Sequence, residues 1–454
     1  MWLCDIENCN KAAVRTYGEC VLCNRHLCAK HLESSYHTCP RWEEEAEYDP
    51  AARKAEQDEI TKLVDKIDIS ALISRASALR GGLPCSIPHD LQYDRSTRSS
   101  VMGGMNYHIE ILFDDGITWL ARIRRSNATS PPAELRDYIL RSEVSTLQFL
   151  SETKVPAPKV FDFNFCEPNP VGVGYILMEK LPGRSLRWSL ATPEQRRKVT
   201  SQLADIYIEL YAHPFAMTGS MHHPGSHDIG PFARESLTEY HGSQMKALGP
   251  FFSTKEYFSA HIQLILDLII RQESYVDRAV DAFLIHRFLL DKVPEACSRS
   301  HLDDGKFYLK HANEKGDQIL VDDEFNITGI IDWEWAHTDS KSGAFNSPIV
   351  LLPVADFYAG ENSIGEDEVF FAKCLEAKGH PDLATIVRNG RLIHRFRFCC
   401  GYDLTDWKGF LGLFAGLLGA MGITDDFHWE TWKPEAMKCY QNDHQLQQVI
   451  GIYN

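Results

Sequence analysis

The chain has too few basic residues for a nucleic-acid-binding role. It carries 47 lysine and arginine residues against 63 aspartate and glutamate residues, which gives a net charge of −16 over 454 residues. Proteins that contact many nucleic-acid phosphates need the opposite balance. The length allows two or more domains, and the composition, 44% hydrophobic and 24% charged, is typical of a soluble globular protein.

Long apolar segments are also lacking. The first residues contain neither the basic stretch nor the apolar stretch of a secretion signal. The most apolar run, residues 409–422 (GFLGLFAGLLGAMG), is too short to cross a bilayer and predicts a buried helix packed through its small residues. We therefore expect a protein without membrane partners, located in the cytoplasm or the nucleus.

Cysteine is sparse after residue 39 but concentrated before it. Six of the 13 cysteines lie in the first 39 residues, and the scattered remainder are expected to be small buried hydrophobes. In a reducing compartment, cysteines clustered with histidines indicate a metal site. The spacing C-x4-C-x10-C-x2-C-x4-C-x2-H-x5-H-x-C supplies enough ligands for two tetrahedral zinc ions. These ligands are Cys4, Cys9, Cys20, Cys23, Cys28, His31, His37 and Cys39.

This spacing resembles the AN1-type zinc finger over residues 1–42. The resemblance implies two structural zinc ions with interleaved ligands. The first set is Cys4, Cys9, Cys28 and His31, and the second set is Cys20, Cys23, His37 and Cys39. Zinc would supply the folding free energy that so small a segment cannot gain from apolar burial. Because protein ligands fill both sites, the finger is expected to be structural or to dock a protein partner. His26 falls outside the ligand pattern and is expected at the surface or beside a ligand.

Three further segments follow the finger. Residues 43–65 are charged and poor in large apolar residues, which predicts a charged linker or a polar helix. Residues 66–178 show the order strand, strand, helix, strand, strand, with a DDG hairpin turn between the first two strands. Residues 179–454 contain long segments of helical periodicity. The pattern predicts a β-rich lobe followed by a mainly helical lobe.

Residues from about 94 to 450 resemble the aminoglycoside phosphotransferase family, which also resembles choline and homoserine kinases. The likeness rests on the segments WLARI, RSEVSTLQFL and HANEKGDQILVDDEFNITGIIDWEWA. It implies an α+β fold in which a bilobal protein-kinase-like domain follows the zinc finger. It also implies ATP and magnesium as cofactors and an unidentified small hydroxylated molecule as acceptor.

In the small lobe, the resemblance implies a phosphate-binding cation and its partner. Arg122 lies where such proteins place a strand cation that meets the nucleotide phosphates, and Glu143 lies where a helix carboxylate orients that cation. The ordinary alternatives are a solvated strand residue and a surface helix charge. Arg124 and Arg125 are neighbouring alternatives for the cation.

Two weaker assignments concern the nucleotide. Gly103 and Gly104 could cover its phosphates through backbone N–H groups, although a simple turn explains two glycines equally well. Met178, within the segment LMEK, would lie at the hinge between the lobes, where backbone groups could bind the adenine edge.

The catalytic loop departs from the family pattern H-x-D-x4-N, which a hairpin and a further Asp follow. The matching positions are His311, Asn313, Gln318 and Asp332. His311 is implied to be structural and Asp332 to bind the metal. Asn313 cannot accept a proton at neutral pH, so it can only orient the acceptor. Gln318 carries one methylene more than the expected Asn, and magnesium tolerates little error in ligand geometry.

Two carboxylates adjoin the altered positions. Glu314 could reach an acceptor hydroxyl or Asp317 could reach the metal, and the ordinary alternative is that both are loop charges exposed to solvent. Two functions therefore stay open. The first is an ATP- and magnesium-dependent phosphotransferase for a small hydroxylated molecule, and the second is an impaired pseudokinase that binds a nucleotide or a protein.

Overall fold

The computed structural model describes residues 2–15, 17–88, 91, 104–166, 168–241, 244–299, 303–402, 406–424 and 426–453. The chain divides into two compact units. The first unit comprises Met1–Leu140 and Ala157–Leu181, and the second comprises Arg141–Pro156 and Pro182–Asn454. The Cys/His-rich segment, the predicted linker and most of the β-rich lobe therefore lie in one unit, and the boundary predicted after residue 178 falls after Leu181.

The first unit begins with the Cys/His-rich segment. Strands β1 (Glu19–Cys20) and β2 (Arg25–His26) pair antiparallel, and a 3-10 turn follows at Ala29–Leu32. Among the described residues of this segment, the buried apolar cluster consists of Cys4, Leu27 and Cys28. So small a cluster cannot offset the loss of chain entropy, and metal binding is the expected source of stability.

The segment predicted as a linker or polar helix is almost entirely helical. Helix α1 (Glu45–Val64) is rich in good helix formers, and its Ile60 is fully buried in the core of the small lobe. Helix α2 (Ile69–Leu79) follows, and its N-terminus is capped by Asp68, whose side chain accepts a hydrogen bond of 2.8 Å from the backbone N–H of Ala71.

A five-stranded antiparallel sheet completes the first unit. Its order is β3-β4-β5-β7-β6, and helix α3 connects β5 to β6. Alternate residues of β4, from Tyr107 to Phe113, are buried in the same core as Ile60 and Leu72, as the period-2 pattern predicts. The element bounds are β3 Cys85–Ser86, β4 Asn106–Phe113, β5 Thr118–Arg124, α3 Ala133–Leu150, β6 Val160–Asn164 and β7 Tyr175–Glu179.

The second unit contains short sheets that carry the catalytic loop. The strands are β8 Arg184–Ser185, β9 Ser220–Met221, β10 Ile229–Gly230, β11 Thr238–His241, β12 Gln244–Ala247, β13 Phe307–Lys310, β14 Ile319–Val321, β15 Ile327–Ile330 and β16 His337–Ser340. Strands β15, β14 and β8 form one sheet, and β13 pairs with β16. The segment between β13 and β14 is the predicted catalytic loop.

Helices build the rest of the second unit. They are α4 Pro193–Tyr211, α5 Thr254–Ile270, α6 Ala279–Ser298, α7 Lys341–Ala344, α8 Val354–Tyr358, α9 Glu366–Ala377, α10 Pro381–Asn389, α11 Arg391–Cys399, α12 Trp407–Ala420, α13 Trp429–Cys439 and α14 His444–Tyr453. The apolar run at 409–422 lies mostly in α12, where Phe410 and Phe414 are fully buried. A Cβ atom at Gly412 would overlap the carbonyl oxygen of Tyr358, so close packing requires glycine there.

The predicted α+β fold class is confirmed: a β-sheet lobe precedes a mainly helical C-terminal part. Within the described residues, no helix is both long enough and apolar enough to cross a bilayer.

Candidate zinc clusters and catalytic loop

The structure brings the eight predicted zinc ligands together in two groups of four. In each group the candidate ligand atoms lie within 4.8 Å of one another, and the groups match the two interleaved sets. In the first group, Cys4 Sγ lies 3.1 Å from His31 Nδ1, and Cys9 Sγ lies 3.9 Å from Cys28 Sγ. Tetrahedral zinc with Zn–S bonds of about 2.3 Å places two sulfurs roughly 3.8 Å apart, so this donor set fits the ion.

The second group surrounds the turn between β1 and β2. Cys23 Sγ lies 3.7 Å from His37 Nε2. Burial lowers the pKa of His37, and Arg25 and Arg41 lower it further. The imidazole is therefore neutral at physiological pH, which is the form that binds a metal. Two Cys/His sets of this kind could each hold a zinc ion in a site closed by protein ligands.

His26 connects the Cys/His-rich segment to the loop after β5 and does not belong to either ligand group. Its Nδ1 lies 2.9 Å from Asp5 Oδ2, and its Nε2 lies 2.9 Å from the carbonyl oxygen of Ala128, which follows β5. The ring also stacks on Trp2 at 4.2 Å between centroids. Sequence reasoning placed His26 outside the ligands but did not find this contact, because its partner is 102 residues away.

Helix α1 also contacts the loop that follows β5. The guanidinium of Arg125 binds both carboxylate oxygens of Glu59, at 2.9 and 2.7 Å, and the side-chain amide of Asn127 donates to Glu59 at 2.9 Å. Arg125 also lies 3.5 Å from Glu56. Arg125 therefore serves this joint, which leaves Arg122 and Arg124 as the candidate phosphate-binding cations of β5.

The other predicted nucleotide residues are placed separately in the two units. Arg122 lies on β5 in the first unit, is 6% exposed, and has its guanidinium 2.7 Å from the side-chain oxygen of Asn106 when that amide is turned toward it. Glu143 lies in the part of α3 that belongs to the second unit and is 2% exposed, so it is not a surface helix charge.

The positions of Gly104 and Met178 add no support for nucleotide binding. Gly104 is exposed, and Gly103 lies outside the described residues. Met178 is buried on β7, where it pairs with Leu120 of β5.

His311 fixes the catalytic loop to the following hairpin. Its Nε2 donates to the carbonyl oxygen of Ile331 at 2.9 Å, while its Nδ1 accepts from the backbone N–H of Asn313 at 3.0 Å. Burial lowers the pKa of His311, so the neutral tautomer that makes both bonds is favoured. The predicted structural role fits this geometry.

Asp332 comes directly after Ile331, and it is exposed. Its φ of 64° lies in the left-handed region, which is costly for a non-glycine residue and better tolerated by Asp and Asn than by most others. The tryptophan of the DWE sequence, Trp333, is a buried packing residue. Trp333 is 1% exposed, donates from Nε1 to the carbonyl oxygen of Ile330 at 2.8 Å, and packs edge-on against His311 with ring centroids 4.7 Å apart.

The two altered positions of the loop behave differently. The Oδ1 atom of Asn313 is buried and has no hydrogen-bond donor among the described residues. The Oε1 atom of Gln318 accepts from the backbone N–H of Gly316 at 2.8 Å. The extra methylene of Gln318 thus lets its amide oxygen close the loop on itself instead of projecting from it.

Glu314 is turned into the protein. It is 8% exposed; its Oε1 accepts from the Tyr207 hydroxyl at 2.9 Å, and its Oε2 lies 3.0 Å from Lys310 Nζ. The expectation of a solvent-exposed charge fits Asp317, which is exposed, but is wrong for Glu314. Of these contacts, the Lys310 pair at spacing i,i+4 could have been read from the sequence, whereas nothing in the sequence points to Tyr207.

The arrangement in the second unit therefore has three chemical features. An exposed carboxylate at Asp332 is suited to a hard cation such as magnesium. An uncharged acceptor at Asn313 can receive a hydrogen bond but cannot take a proton at neutral pH. The carboxylate of Glu314 has a hydrogen-bonding partner on each oxygen.

Comparison with known proteins identifies the class. The model of the phosphotransferase enzyme family (APH) matches residues 109–339, about half of the chain. The chain therefore belongs to the phosphotransferase enzyme family. The match includes the strand of Arg122, the catalytic loop and Asp332, and it does not include the Cys/His segment.

Similar individual proteins cover less or differ more. Two subtelomeric hrmA-associated cluster proteins, from two strains of Aspergillus fumigatus, are each 31% identical over 159 residues, which is 32% of this chain and 30% of theirs. The chain thus matches less than a third of the length of these relatives.

Solved structures resemble the chain at low identity. The streptomycin–ATP–APH(2")-IIa ternary complex is 11% identical, covers 78% of this chain and 98% of its own, and gives a TM-score of 0.43. Plasmodium vivax ethanolamine kinase is 14% identical, with coverages of 75% and 80% and a TM-score of 0.39. The GDP complex of wild-type aminoglycoside 2'-phosphotransferase-IIIa is 15% identical, with coverages of 78% and 97% and a TM-score of 0.39.

Proposed function

We propose that this member of the phosphotransferase family binds ATP with magnesium and has strongly impaired phosphoryl transfer to a small hydroxylated acceptor. In the first unit, Arg122 is the proposed phosphate-binding cation. In the second unit, Glu143 is the proposed helix carboxylate and Asp332 the proposed metal ligand.

Impairment is expected because Asn313 stands where the family pattern has the acid, and the neighbouring Glu314 is engaged by Tyr207 and Lys310. A pseudokinase of this kind would act mainly as a binding module.

One observation carries the proposal: the carboxylate of Glu314 is already engaged on both oxygens. Tyr207 donates to Oε1 at 2.9 Å, and Lys310 Nζ lies 3.0 Å from Oε2. To act as a base for a substrate, Glu314 would have to break both contacts and leave Lys310 without its partner in a largely buried place. Glu314 therefore does not replace the acid that is missing at Asn313.

The metal ligands support reduced activity as well. Magnesium would supply charge neutralisation for the nucleotide phosphates. The exposed carboxylate of Asp332 suits that ion, but the amide oxygen of Gln318 is directed to the N–H of Gly316 at 2.8 Å. Of the two metal ligands that the family pattern provides, only Asp332 fits the role.

A second candidate is a working phosphotransferase, and one observation favours it. The buried Oδ1 of Asn313 has no donor among the described residues. A buried acceptor without a donor costs about 1–3 kcal/mol, so an acceptor hydroxyl that donated to it would be bound and oriented. Orientation and electrostatics account for much of phosphoryl transfer, so slow turnover could survive without a base.

The finger is proposed to be a structural part of the small lobe that contains two zinc ions. His26 and the Glu59–Arg125 pair both hold the loop that follows β5. A protein partner could still dock on the outer face of the finger.

Calorimetric titration of ATP, with and without magnesium, tests the binding part of the proposal. We expect the natural protein to bind ATP more tightly with magnesium, and Asp332→Asn to lose that dependence. Asn is the appropriate replacement because it tolerates the left-handed backbone at this position better than Ala does. A natural protein that binds no ATP, or an Asp332→Asn variant with unchanged magnesium dependence, would reject the assignment.

A further inference from the structure

An open cleft of about 680 Å³ lies within the first unit. Its walls are the turn between β1 and β2, one face of helix α1 and the loop that follows β5. Binding sites commonly have volumes of roughly 300–1,000 Å³, so the cleft has room for a ligand. We call it the α1 cleft, and it lies between residues 21–24, residues 49–66 and residues 125–129.

Helix α1 forms the longest wall of the cleft. Its lining residues Glu56, Glu59, Leu63 and Lys66 are three or four positions apart, which places them along a single side of the helix. Ile60 lies outside this set and is buried in the core of the small lobe. The core therefore holds the helix in place while its cleft side faces the open space.

Most charges in the wall of the α1 cleft are already paired. Arg125 binds both carboxylate oxygens of Glu59, at 2.9 and 2.7 Å, and lies 3.5 Å from Glu56. Arg53 lies 3.4 Å from Asp49 on the same helix. These four acidic and basic partners, with Glu56, fix the wall and leave little of their charge for a ligand.

Two lysines of the cleft keep an unpaired charge. Lys62 and Lys66 are exposed and one helical turn apart, and neither has a hydrogen-bond or ion-pair partner among the described residues. Asp58 is the one acid of the described lining that also has no partner, so the unpaired charge of the cleft is positive. The net charge of −16 does not cancel this local excess, because charges more than about 10 Å away are largely screened by salt.

The other lining groups suit a peptide better than a compact organic molecule. None of the described residues that line the cleft is aromatic, whereas small-molecule pockets are lined mainly by apolar and aromatic side chains. Asn24 and Ser126 have polar side chains without partners among the described residues, and Val21, Leu22 and Leu63 form an apolar wall. A polypeptide offers main-chain N–H and C=O groups to the polar side chains and apolar side chains to the wall.

We propose that the α1 cleft binds an acidic peptide segment of a protein partner, with Lys62 and Lys66 as the contacts for its carboxylates. Exposed ion pairs contribute modestly to affinity, so the main chain and apolar side chains of the peptide supply the rest. The site is independent of the proposed function, because neither Arg122 nor the catalytic loop is among the described residues that line the cleft.

Selection from a phage library of random linear peptides on the immobilised natural protein supplies the probes. Fluorescence polarisation with the selected peptides, made synthetically, then measures their affinities. The test variant is Lys62→Glu combined with Lys66→Glu. The matched control is Lys54→Glu combined with Lys408→Glu, since both lysines are exposed, have no partner among the described residues and lie outside the cleft.

We expect selected peptides that contain Asp or Glu and bind the natural protein and the control alike. They should bind the test variant about tenfold more weakly or worse, because the reversed charges repel the peptide. The inference is overturned if no peptide is enriched, if every enriched peptide binds the test variant as tightly as the natural protein, or if the peptides that lose affinity contain no acid.

A competition with ATP separates this site from the nucleotide site. Saturating ATP with magnesium should leave the affinity for the peptide unchanged, and displacement of the peptide would overturn the inference. The test variant should bind ATP as tightly as the natural protein. Failure of the proposed function would appear in the ATP titration alone, whereas failure of the α1 cleft would appear in the peptide titration alone.

Discussion

The hydroxyl of Tyr207 donates a hydrogen bond of 2.9 Å to Oε1 of Glu314. The contact joins helix α4 to the catalytic loop across 107 residues of sequence, and burial with the Glu314 charge raises the pKa of Tyr207 well above its ordinary value. The hydroxyl therefore stays protonated and serves as a donor. Glu314 is thereby a structural part of the loop and not a substitute base.

Substitutions at Tyr207 and at Glu314 distinguish a structural role of Glu314 from a catalytic one. Tyr207→Phe should lower the free energy of unfolding by about 1–3 kcal/mol, because it removes a donor from a buried carboxylate. Any residual ATP turnover should remain, after correction for the fraction of folded protein, and should also remain in Glu314→Gln. Loss of turnover in Glu314→Gln at unchanged ATP affinity would show that Glu314 takes part in catalysis.

The finger should contain two zinc ions per chain. Elemental analysis of the purified protein checks this count, and Cys23→Ser should reduce it to one because only the second group loses a ligand. Cys166→Ser is the matched control, since Cys166 is exposed and lies outside both groups. A natural protein with one zinc or none, or a Cys23→Ser protein that retains two, would contradict the paired arrangement.

His26 should contribute to stability without affecting the metal content. His26→Ala removes the side-chain contacts with Asp5 and with the Ala128 carbonyl. We therefore expect the free energy of unfolding of the first unit to fall by about 1–2 kcal/mol. The variant should still bind two zinc ions. Chemical denaturation and elemental analysis measure the two quantities. The control is His428→Ala, at a side chain that is 70% exposed, for which no change is expected. Loss of zinc from His26→Ala would make His26 a ligand.

Mild acid should destabilise the second unit. Burial lowers the pKa of His286 to about 4 and that of His337 to about 3, both below the ordinary value near 6.5. The unfolded chain therefore binds protons first, so the stability from each neutral histidine is complete above pH 6.5 and is lost as the pH falls below it. The expected loss is about 1.4 kcal/mol per pH unit for each histidine.

Denaturant unfolding at several pH values between 7.5 and 5 checks this slope. Neutral His286 donates from Nδ1 to the Ala282 carbonyl at 2.7 Å and accepts at Nε2 from the N–H of Gly401 at 3.4 Å, so protonation breaks the second bond. His286→Gln should reduce the slope by the share of one histidine. Stability that is constant across this range would contradict the buried neutral state.

The features that could be predicted from the sequence are formed by residues that lie close together in the chain. The zinc groups could be read because ligand pairs a few residues apart are what tetrahedral zinc requires. The hairpin before Asp332 could be read because alternating β-formers surround a turn. The segment of helix α1 was predicted to be a charged linker or a polar helix because its composition is charged. Its buried residue is Ile60, and one buried position does not produce a periodic apolar pattern.

Contacts between distant segments could not be read. Whether Glu314 faces solvent or Tyr207 depends on how helix α4 packs beside the loop, and no periodicity encodes that. Glu59 and Arg125 are 66 residues apart, and their ion pair could not be predicted from the sequence either. Because of this pair, Arg125 is a structural residue and not a candidate phosphate ligand. The charge of a side chain is visible in the sequence, but its partner is decided by packing.

The central claim is that the missing acid at Asn313 limits phosphoryl transfer. The most direct measurement is magnesium-dependent ATP turnover, with and without small hydroxylated acceptors, for the natural protein, for Asn313→Asp and for Asn313→Asp combined with Gln318→Asn. ATP affinity is measured in parallel. The account predicts ATP binding in all three and turnover faster by about 10²–10⁴-fold once the acid is restored, with the double variant at least as fast as the single one. Ready turnover in the natural protein that Asn313→Asp does not increase would contradict it.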